Sequence, residues 1–343
     1  MKRQRPLGAS GSAIDDGGKR LDELKLRLTP HFVDASPPQE YKDRELQAEL
    51  RKRLTPRQFQ LAIDPLLSTS DMKKWAWQLV GDATEDMKKG KRLFLGLTRH
   101  INLGQAGEGR RTAKEVFESW HNAEAEFTCQ EYIFLYVALA RSVGLGANFT
   151  FVDADYHGKV RPHACAVVFI NGKGILVDPA YRWFGIPHAR FRVQSDLQVI
   201  GSYLAQLDDV EKGETAVKLV PEEPLAHFNL AIVLASEGRL AEARERLEAG
   251  LKLDSGGWMA SLAQGMVAAR GEKWDSAATH LRKCLELNPD YTQARFFLAK
   301  TLFSQGKLTE AREEYRAYLQ GENEPSLAEE ARGAISAINE TLP

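Results

Sequence analysis

The sequence has few cysteines, no long apolar run and almost no net charge. Its three cysteines, Cys129, Cys165 and Cys284, are too few and too widely spaced for a disulfide framework. No stretch approaches the roughly 18 apolar residues that a membrane-spanning helix needs. The 46 basic and 47 acidic residues leave a net charge of −1, which argues against a protein that coats nucleic acid or an anionic membrane. We therefore expect a protein of the reducing cytoplasm that binds neither nucleic acid nor a membrane.

Motifs for metals and nucleotides are also missing. The sequence contains no C-x-x-C pair and no H-E-x-x-H motif, and its eight histidines are scattered. Gly90-Lys91 does not end a P-loop, because Glu85 stands where the first glycine is needed and Arg92 replaces serine or threonine. Gly144-Leu145-Gly146 precedes a predicted strand, whereas a dinucleotide fingerprint opens a helix. We expect no cofactor and no metal.

The composition changes along the chain and predicts several domains. Residues 1–20 are rich in Gly and Ser and carry five basic residues, which is typical of a disordered tail. A helical pattern with buried faces covers Asp71 to Ile101. The expected order is a basic tail (1–20), an N-terminal helical extension (21–66), an α+β domain (67–205), a linker (206–223), three helical repeats (224–323) and a polar capping helix (324–343).

The α+β domain is predicted from a capped helix followed by a hairpin. Thr128 and Glu131 form a T-x-x-E capping box at the start of the helix, and Gly144 ends it. After Gly144 the apolar period changes to two, which predicts strands over 147–153, 163–170 and 175–178. Asn171-Gly172 joins the last two strands and is a strong signal for a two-residue hairpin turn.

The same elements bring a thiol, an imidazole and a carboxylate toward one place. Cys129 begins the capped helix, where unpaired backbone N–H groups and the helix dipole favour a thiolate. With a two-residue turn, residue 163 faces 180 and residue 165 faces 178, so His163 and Asp178 are diagonal neighbours on one face. A base beside a thiol, oriented by an acid, is the arrangement that nucleophilic catalysis requires.

Several segments resemble the transglutaminase-like superfamily core over residues 67–185. They are Ser119-Trp120, Thr128-Cys129-Gln130-Glu131-Tyr132 at the head of the helix, Ala138 to Leu145 at its end, His163-Ala164 and Val177-Asp178-Pro179. The resemblance implies a papain-like triad with Cys129 as nucleophile, His163 as general base and acid and Asp178 as its orienter. It also implies an antiparallel sheet packed on the nucleophile helix. Two positions depart from the family pattern, since Thr128 replaces a common glycine and Cys165 a common tryptophan.

The reaction that this resemblance implies is acyl transfer through a thioester. The backbone N–H of Cys129 is one expected oxyanion donor, and Trp120, Asn122 and Gln130 are candidates for a second. Three further residues are candidates for the substrate groove, namely Cys165, Tyr181 and Trp183. Alternatively, these side chains have a packing role only. Cys165 would then pack against the helix, and the two aromatic residues would be buried at the end of the sheet.

A 34-residue period is present beyond residue 205. Ala231, Gly265 and Ala299 are 34 residues apart, and so are three alanines in a second column, Ala243, Ala277 and Ala311. The columns fit helix–turn–helix units with a glycine at each turn, and they resemble the tetratricopeptide repeat (TPR). The resemblance implies an all-α solenoid that holds a peptide or protein, or that shields the other domain.

Two functions remain open from the sequence. The first is a cysteine-dependent amide hydrolase or acyltransferase that acts on a peptide or protein, with the TPR repeats docking substrate or partner. The second is an adaptor of the same architecture whose core no longer turns over, suggested by the departures at Thr128 and Cys165. The sequence does not separate proteolysis, deamidation and amine transfer, because that depends on whether water or an amine reaches the thioester.

Overall fold

The computed structural model describes residues 28, 30–38, 41, 43–101, 109–122, 124–160, 163–321 and 325–341. The basic tail expected over 1–20 lies outside these residues. Two compact units are present. The first contains the described residues before Asp43 together with Asp64–Val199, and the second contains Asp43–Ile63 and Ile200–Pro343 as far as they are described. No helix among the described residues is both long and apolar enough to cross a membrane.

The first unit combines four helices with an antiparallel sheet. Its helices are α3 (Ser70–Val80), α4 (Asp86–His100), α5 (Ala113–Ser119) and α6 (Cys129–Ser142). Its strands are β1 (Phe32–Val33), β2 (Gly146–Ala154), β3 (His163–Ile170), β4 (Lys173–Asp178), β5 (Trp183–Phe184) and β6 (Arg190–Val193). The sheet order is β1-β4-β3-β2-β6, and β5 pairs with β4. The predicted α+β class is therefore present in this unit.

Helix α6 forms the centre of the first unit. Every residue from Glu131 to Ala140 is buried, which is the pattern of a helix surrounded on all sides. Helices α3, α4 and α5 contact it, as do strands β2 and β3. Strand β2 shifts register between Val152 and Ala154 where it pairs with β6, and such an irregularity bends the strand. The sheet consequently curls as it packs against α6.

The β3–β4 hairpin has the predicted register. Ile170 pairs with Lys173 and Ala166 pairs with Val177, so position 165 faces 178. Asn171 (φ 52°) and Gly172 (φ 76°) both adopt positive φ, as a type I′ turn requires. Two residues of the turn therefore fix which side chains of β3 and β4 share a face.

The helix expected over Asp71 to Ile101 is two helices instead of one. Helix α3 ends at Val80, and Gly81 follows it with φ 54°, a conformation that a glycine adopts without strain. Helix α4 then starts at Asp86. The apolar pattern continues across the break because both helices bury a face in the same core.

The second unit is helical. It contains α1 (Asp43–Arg53), α2 (Pro56–Leu61), α8 (Val210–Leu219), α9 (Pro224–Ser236), α10 (Leu240–Leu253), α11 (Trp258–Arg270), α12 (Trp274–Leu287), α13 (Gln293–Ser304), α14 (Leu308–Leu319) and α15 (Pro325–Thr341). Helix α7 (Asp196–Ala205) contains the boundary between the units. Helices α9 to α14 form three consecutive pairs of contacting helices.

The segment expected to be a linker, 206–223, contains helix α8. Asp209 caps it, and its side chain accepts a hydrogen bond of 2.8 Å from the backbone N–H of Lys212. Arg57 of α2 forms an ion pair with Glu211 of α8, so the helices of 43–63 pack within the second unit. Residues 210–219 are therefore helical, and this packing and the Asp209 cap stabilise the helix.

Small residues occupy the two repeat columns because helices cross closely there. The alanines at Ala231, Ala243, Ala277 and Ala299 have no exposed surface. At Gly265 an added Cβ would lie 2.8 Å from Cγ of Leu281, closer than carbon atoms pack. A larger side chain in either column would separate the paired helices.

We expect Gly250→Ala to destabilise the protein by about 1–3 kcal/mol. A Cβ at position 250 would lie 2.6 Å from Cε1 and 2.7 Å from Cδ1 of Phe228, a ring that is only 1% exposed and has no room to move. The matched control is Gly333→Ala, because no described atom lies within 4 Å of a Cβ built there. That change should stabilise helix α15 by about 0.5–1 kcal/mol. Chemical denaturation measures the unfolding free energy of both variants. Equal effects of the two substitutions would contradict the close contact between position 250 and Phe228.

Candidate functional site

The N-terminus of α6 is built to hold Cys129 in place. Thr128 is the N-cap, and its hydroxyl accepts a hydrogen bond of 3.3 Å from the backbone N–H of Glu131. Glu131 in return accepts from the backbone N–H of Thr128 at 2.9 Å. This is the capping box expected from the sequence, and it presents Cys129 in the first turn of the helix.

Arg111 reinforces this helix start. Its guanidinium Nε donates to Oε1 of Glu131 at 2.8 Å, its Nη2 donates to Oε2 at 3.2 Å, and its backbone N–H adds a third bond of 3.1 Å. The guanidinium also lies 4.4 Å from the ring centroid of Phe127. Glu131 is fully buried, so Arg111 neutralises a buried charge in the same helical turn as Cys129. No sequence motif predicts this contact, which joins residues twenty positions apart.

His163 and Asp178 meet across the β3–β4 hairpin. His163 begins β3, Asp178 ends β4, and Nε2 of His163 lies 2.5 Å from Oδ2 of Asp178. The side chain of Asp178 is fully buried and that of His163 is 10% exposed. The diagonal pairing that the hairpin register predicts brings the imidazole and the carboxylate into hydrogen-bond contact.

Cys129, at the start of helix α6, completes this arrangement. Its thiol lies close enough to His163 for the imidazole to lower the pKa of the thiol, and since Nε2 of that ring faces Asp178, Nδ1 is the nitrogen left for the sulfur. Cys129 is half-buried, while Cys165 and Cys284 are buried. The described structure therefore brings together the three residues that the sequence singled out as nucleophile, base and orienter.

The charges of these groups favour a thiolate–imidazolium pair. Burial alone would raise the pKa of Cys129, but the charge and hydrogen bond of His163 and a hydrogen bond from the backbone of Ala164 lower it. Burial alone would lower the pKa of His163, but Asp178 and Cys129 raise it well above its usual range. Against the effect of burial, the two histidines lower the pKa of Asp178 to about 2.

Asp178 also binds a second histidine. Nε2 of His188 lies 2.9 Å from Oδ2, and the other oxygen, Oδ1, accepts from the backbone N–H groups of Ala180 at 3.0 Å and Tyr181 at 3.2 Å. Sequence analysis missed His188, which lies between β5 and β6. No local sequence pattern identifies His188 as a site residue, because its position depends on the path of residues 185–189 between β5 and β6.

The atoms of His163, Asp178 and His188 are also close enough to be considered as a metal site. The three ligand atoms lie within 4.8 Å of one another. Ligands about 2.0–2.2 Å from a tetrahedral Zn²⁺ are roughly 3.4 Å apart. The distance of 2.5 Å between His163 and Asp178 is that of a short hydrogen bond. The geometry thus fits proton sharing better than shared coordination.

The three oxyanion candidates lie in different settings. The indole Nε1 of Trp120 donates to Nε2 of His121 at 2.9 Å, and its ring packs 4.9 Å from that of Trp75. Asn122 is exposed, and its side-chain oxygen accepts from the backbone of Glu124 at 3.0 Å. Gln130 adjoins Cys129 on α6, and its amide donates to Gly109 at 3.3 Å. Each has a hydrogen-bond partner, and their roles remain predictions.

The three groove candidates lie in one aromatic and apolar cluster, which meets His163 through Tyr181. The ring of Tyr181 meets that of His163 edge to face, with centroids 5.3 Å apart. Trp183 packs beside Tyr156 at 5.3 Å. Both pack against an apolar cluster that contains Cys165. Burial raises the pKa of the Cys165 thiol well above its usual range, which suits a packing residue.

The comparisons with known proteins concern the helical repeats above all. Residues 209–257 and 262–326 match the family model described as tetratricopeptide repeat, so the chain contains TPR repeats. DnaJ homolog subfamily C member 3 from Bos taurus is 28% identical over 145 residues, which cover 42% of this chain and 26% of that protein. The chain spans about a quarter of the length of the curated relatives it matches.

Two solved structures are similar at low identity. A thermophilic TPR protein from Thermus thermophilus aligns over 41% of this chain and 80% of its own, with 22% identity and a TM-score of 0.35. A candidate cysteine protease from Cytophaga hutchinsonii aligns over 41% of this chain and 52% of its own, with 15% identity and a TM-score of 0.29. At these scores the similarity assigns no chemistry to the chain.

Proposed function

We propose that the first unit is a cysteine-dependent amide-bond hydrolase or acyltransferase of the transglutaminase-like type, acting on a peptide or protein. The observation that supports it is the series Cys129–His163–Asp178, in which the sulfur stands at a helix N-terminus near the imidazole and the imidazole contacts the carboxylate at 2.5 Å. This series has the order and the elements of a papain-like triad, with the nucleophile on a helix and the base on a strand.

The reaction follows from these positions. The thiolate of Cys129 attacks the amide carbon, and the carbonyl electrons move to oxygen, where the backbone N–H of Cys129 is one donor. The C–N bond then breaks, and His163 gives its proton to the leaving amine, which leaves a thioester. Water or a second amine next gives a proton to His163 and attacks the thioester. The carbonyl re-forms, and Cys129 leaves as the thiolate.

The TPR repeats are proposed to dock the substrate or a protein partner. A TPR array presents a curved helical surface that holds peptide or protein segments, and it carries no covalent chemistry of its own. The three free thiols fit a reducing compartment, and we propose the cytoplasm as the place of action.

Iodoacetamide at pH 6 is expected to label Cys129 about tenfold faster than either other cysteine. Only Cys129 has a thiol whose pKa is lowered; burial raises that of Cys284 to about 12 and that of Cys165 well above its usual range. Peptide mapping by mass spectrometry gives the rates, and denatured protein is the control in which all three react alike. Equal and slow labelling in the native protein would contradict a thiolate at Cys129.

One experiment identifies the type of reaction, and a variant of Cys129 tests whether this residue carries it out. Incubation with a peptide library and a primary amine, followed by intact-mass analysis, distinguishes cleavage, deamidation and amine incorporation by their mass changes. Cys129→Ala should abolish every such change and leave partner binding by the repeats intact. If the variant keeps all activity and all phenotypes, the chain acts as an adaptor.

A further inference from the structure

His188 occupies a position at the centre of the site. Its side chain is fully buried, and its Nε2 lies 2.9 Å from Oδ2 of Asp178, the oxygen that also contacts His163 at 2.5 Å. The rings of His163 and His188 are 5.9 Å apart, and that of Tyr181 lies 5.8 Å from His188. Three rings therefore surround one buried carboxylate.

The hydrogen bonds determine the tautomer of His188. A lone pair on Nε2 would face the lone pairs of the carboxylate oxygen, so Nε2 carries the proton and donates it. Among the described residues, none lies within hydrogen-bond distance of Nδ1, which is fully buried. A proton on Nδ1 would be a buried donor without an acceptor, so the tautomer with its proton on Nε2 is favoured.

We infer that His188 is a positioning residue that acts through Asp178, holding the carboxylate in place and limiting how strongly it retains the proton on His163. This inference rests on the proposed function. The physical reason is that one oxygen accepts from both rings. Each donor withdraws part of its negative charge, so the bond from His188 weakens the attraction of Asp178 for the imidazolium of His163. Without that donor, the imidazolium would keep its proton to higher pH.

Other titratable and charged groups also lie near His163. Helix α6 contributes Cys129, which pairs with His163, and Tyr132, whose pKa burial raises well above its usual range. Strand β3 contributes Cys165, which burial also keeps protonated. The segment after β4 contributes Tyr181 and Arg182. Arg182 is a permanent cation, and its charge acts on Tyr132.

The test compares His188→Phe, which keeps a ring but removes the donor, with His188→Gln, whose amide N–H reaches a similar position. Ring ¹⁵N chemical shifts of His163 are followed against pH in the full-length protein. We expect the titration midpoint of His163 to rise by about one pH unit in the Phe variant and to stay near the wild-type value in the Gln variant. The same midpoint in all three proteins would overturn the inference, because a purely structural role leaves it unchanged.

Wild-type protein supplies a test that needs no variant to fold. The ¹⁵N shifts of His188 near neutral pH should show a proton on Nε2 and none on Nδ1, and the reverse tautomer would overturn the inference. Iodoacetamide labelling of Cys129 is measured on the same samples. Slow labelling in the wild type would reject the proposed function itself, whereas fast labelling with an unmoved midpoint would reject only the role of His188.

Discussion

Asp178→Asn is expected to destabilise the protein by about 2–4 kcal/mol and to slow the labelling of Cys129 at pH 6 by about tenfold. The carboxylate accepts four hydrogen bonds, from the rings of His163 and His188 and from the backbone N–H groups of Ala180 and Tyr181. An Asn side chain offers one acceptor oxygen and an amide that is itself a donor. Donors buried around it therefore lose their acceptor, and His163 loses the charge that keeps it protonated.

The effect on stability has a defined pH dependence. The pKa of Asp178 is lowered to about 2 from 3.8, so its contribution is complete above pH 3.8 and is lost as the pH falls toward 2. The pKa of His163 is raised above 6.5, so its contribution is complete below pH 6.5 and is lost as the pH rises through the higher value. The difference in unfolding free energy between wild type and variant should therefore be largest between these limits.

Asp153→Asn is the matched control for this prediction. Asp153 lies on strand β2 of the same sheet and pairs with Arg192 at 3.1 Å, but both side chains are well exposed. The loss of an exposed ion pair costs less than about 1 kcal/mol, and the labelling of Cys129 should not change. Denaturation curves and labelling rates measure both variants. If Asp178→Asn behaved like this control, the carboxylate would have no part in the site.

The contacts of the site that depend on neighbours in sequence could be predicted, and they lie where expected. Thr128 and Glu131 are three residues apart, so a capping box predicts where α6 starts. Asn171 and Gly172 fix the hairpin register through their own backbone angles, and the register places His163 near Asp178. In both cases a short stretch of chain contains all the information that the geometry needs.

The contacts that form only when the tertiary fold brings separate segments together could not be predicted. His188 reaches Asp178 only after the chain has turned at Gly185 (φ 97°), and Arg111 reaches Glu131 across twenty residues. Nothing in their spacing distinguishes them from other histidines and arginines. Helix α8 was not predicted for a similar reason, since it has only ten residues and packing within the second unit stabilises it. Tertiary contacts decide all three.

Arg111→Met is expected to lower the free energy of unfolding by about 3–5 kcal/mol. Methionine fills a similar length of side chain but leaves Glu131, which has no exposed surface, as a buried charge without its cation. The carboxylate would still accept from the backbone N–H of Thr128, so the start of α6 should loosen without being lost. We expect the labelling of Cys129 at pH 6 to become slower, because the thiol then leaves the position in which His163 holds it.

A second basic residue nearby provides the control. Lys114 forms an exposed i,i+4 pair with Glu118 at 3.8 Å on helix α5, and Lys114→Met should cost about 0.3–0.5 kcal/mol. Urea denaturation of both variants separates a buried charge from a surface pair. Arg111→Met combined with Glu131→Gln should recover part of the lost stability, since the uncharged amide leaves no ion behind Cys129. A double variant as unstable as the single one would show that Arg111 acts through its contact with Phe127 and not through charge.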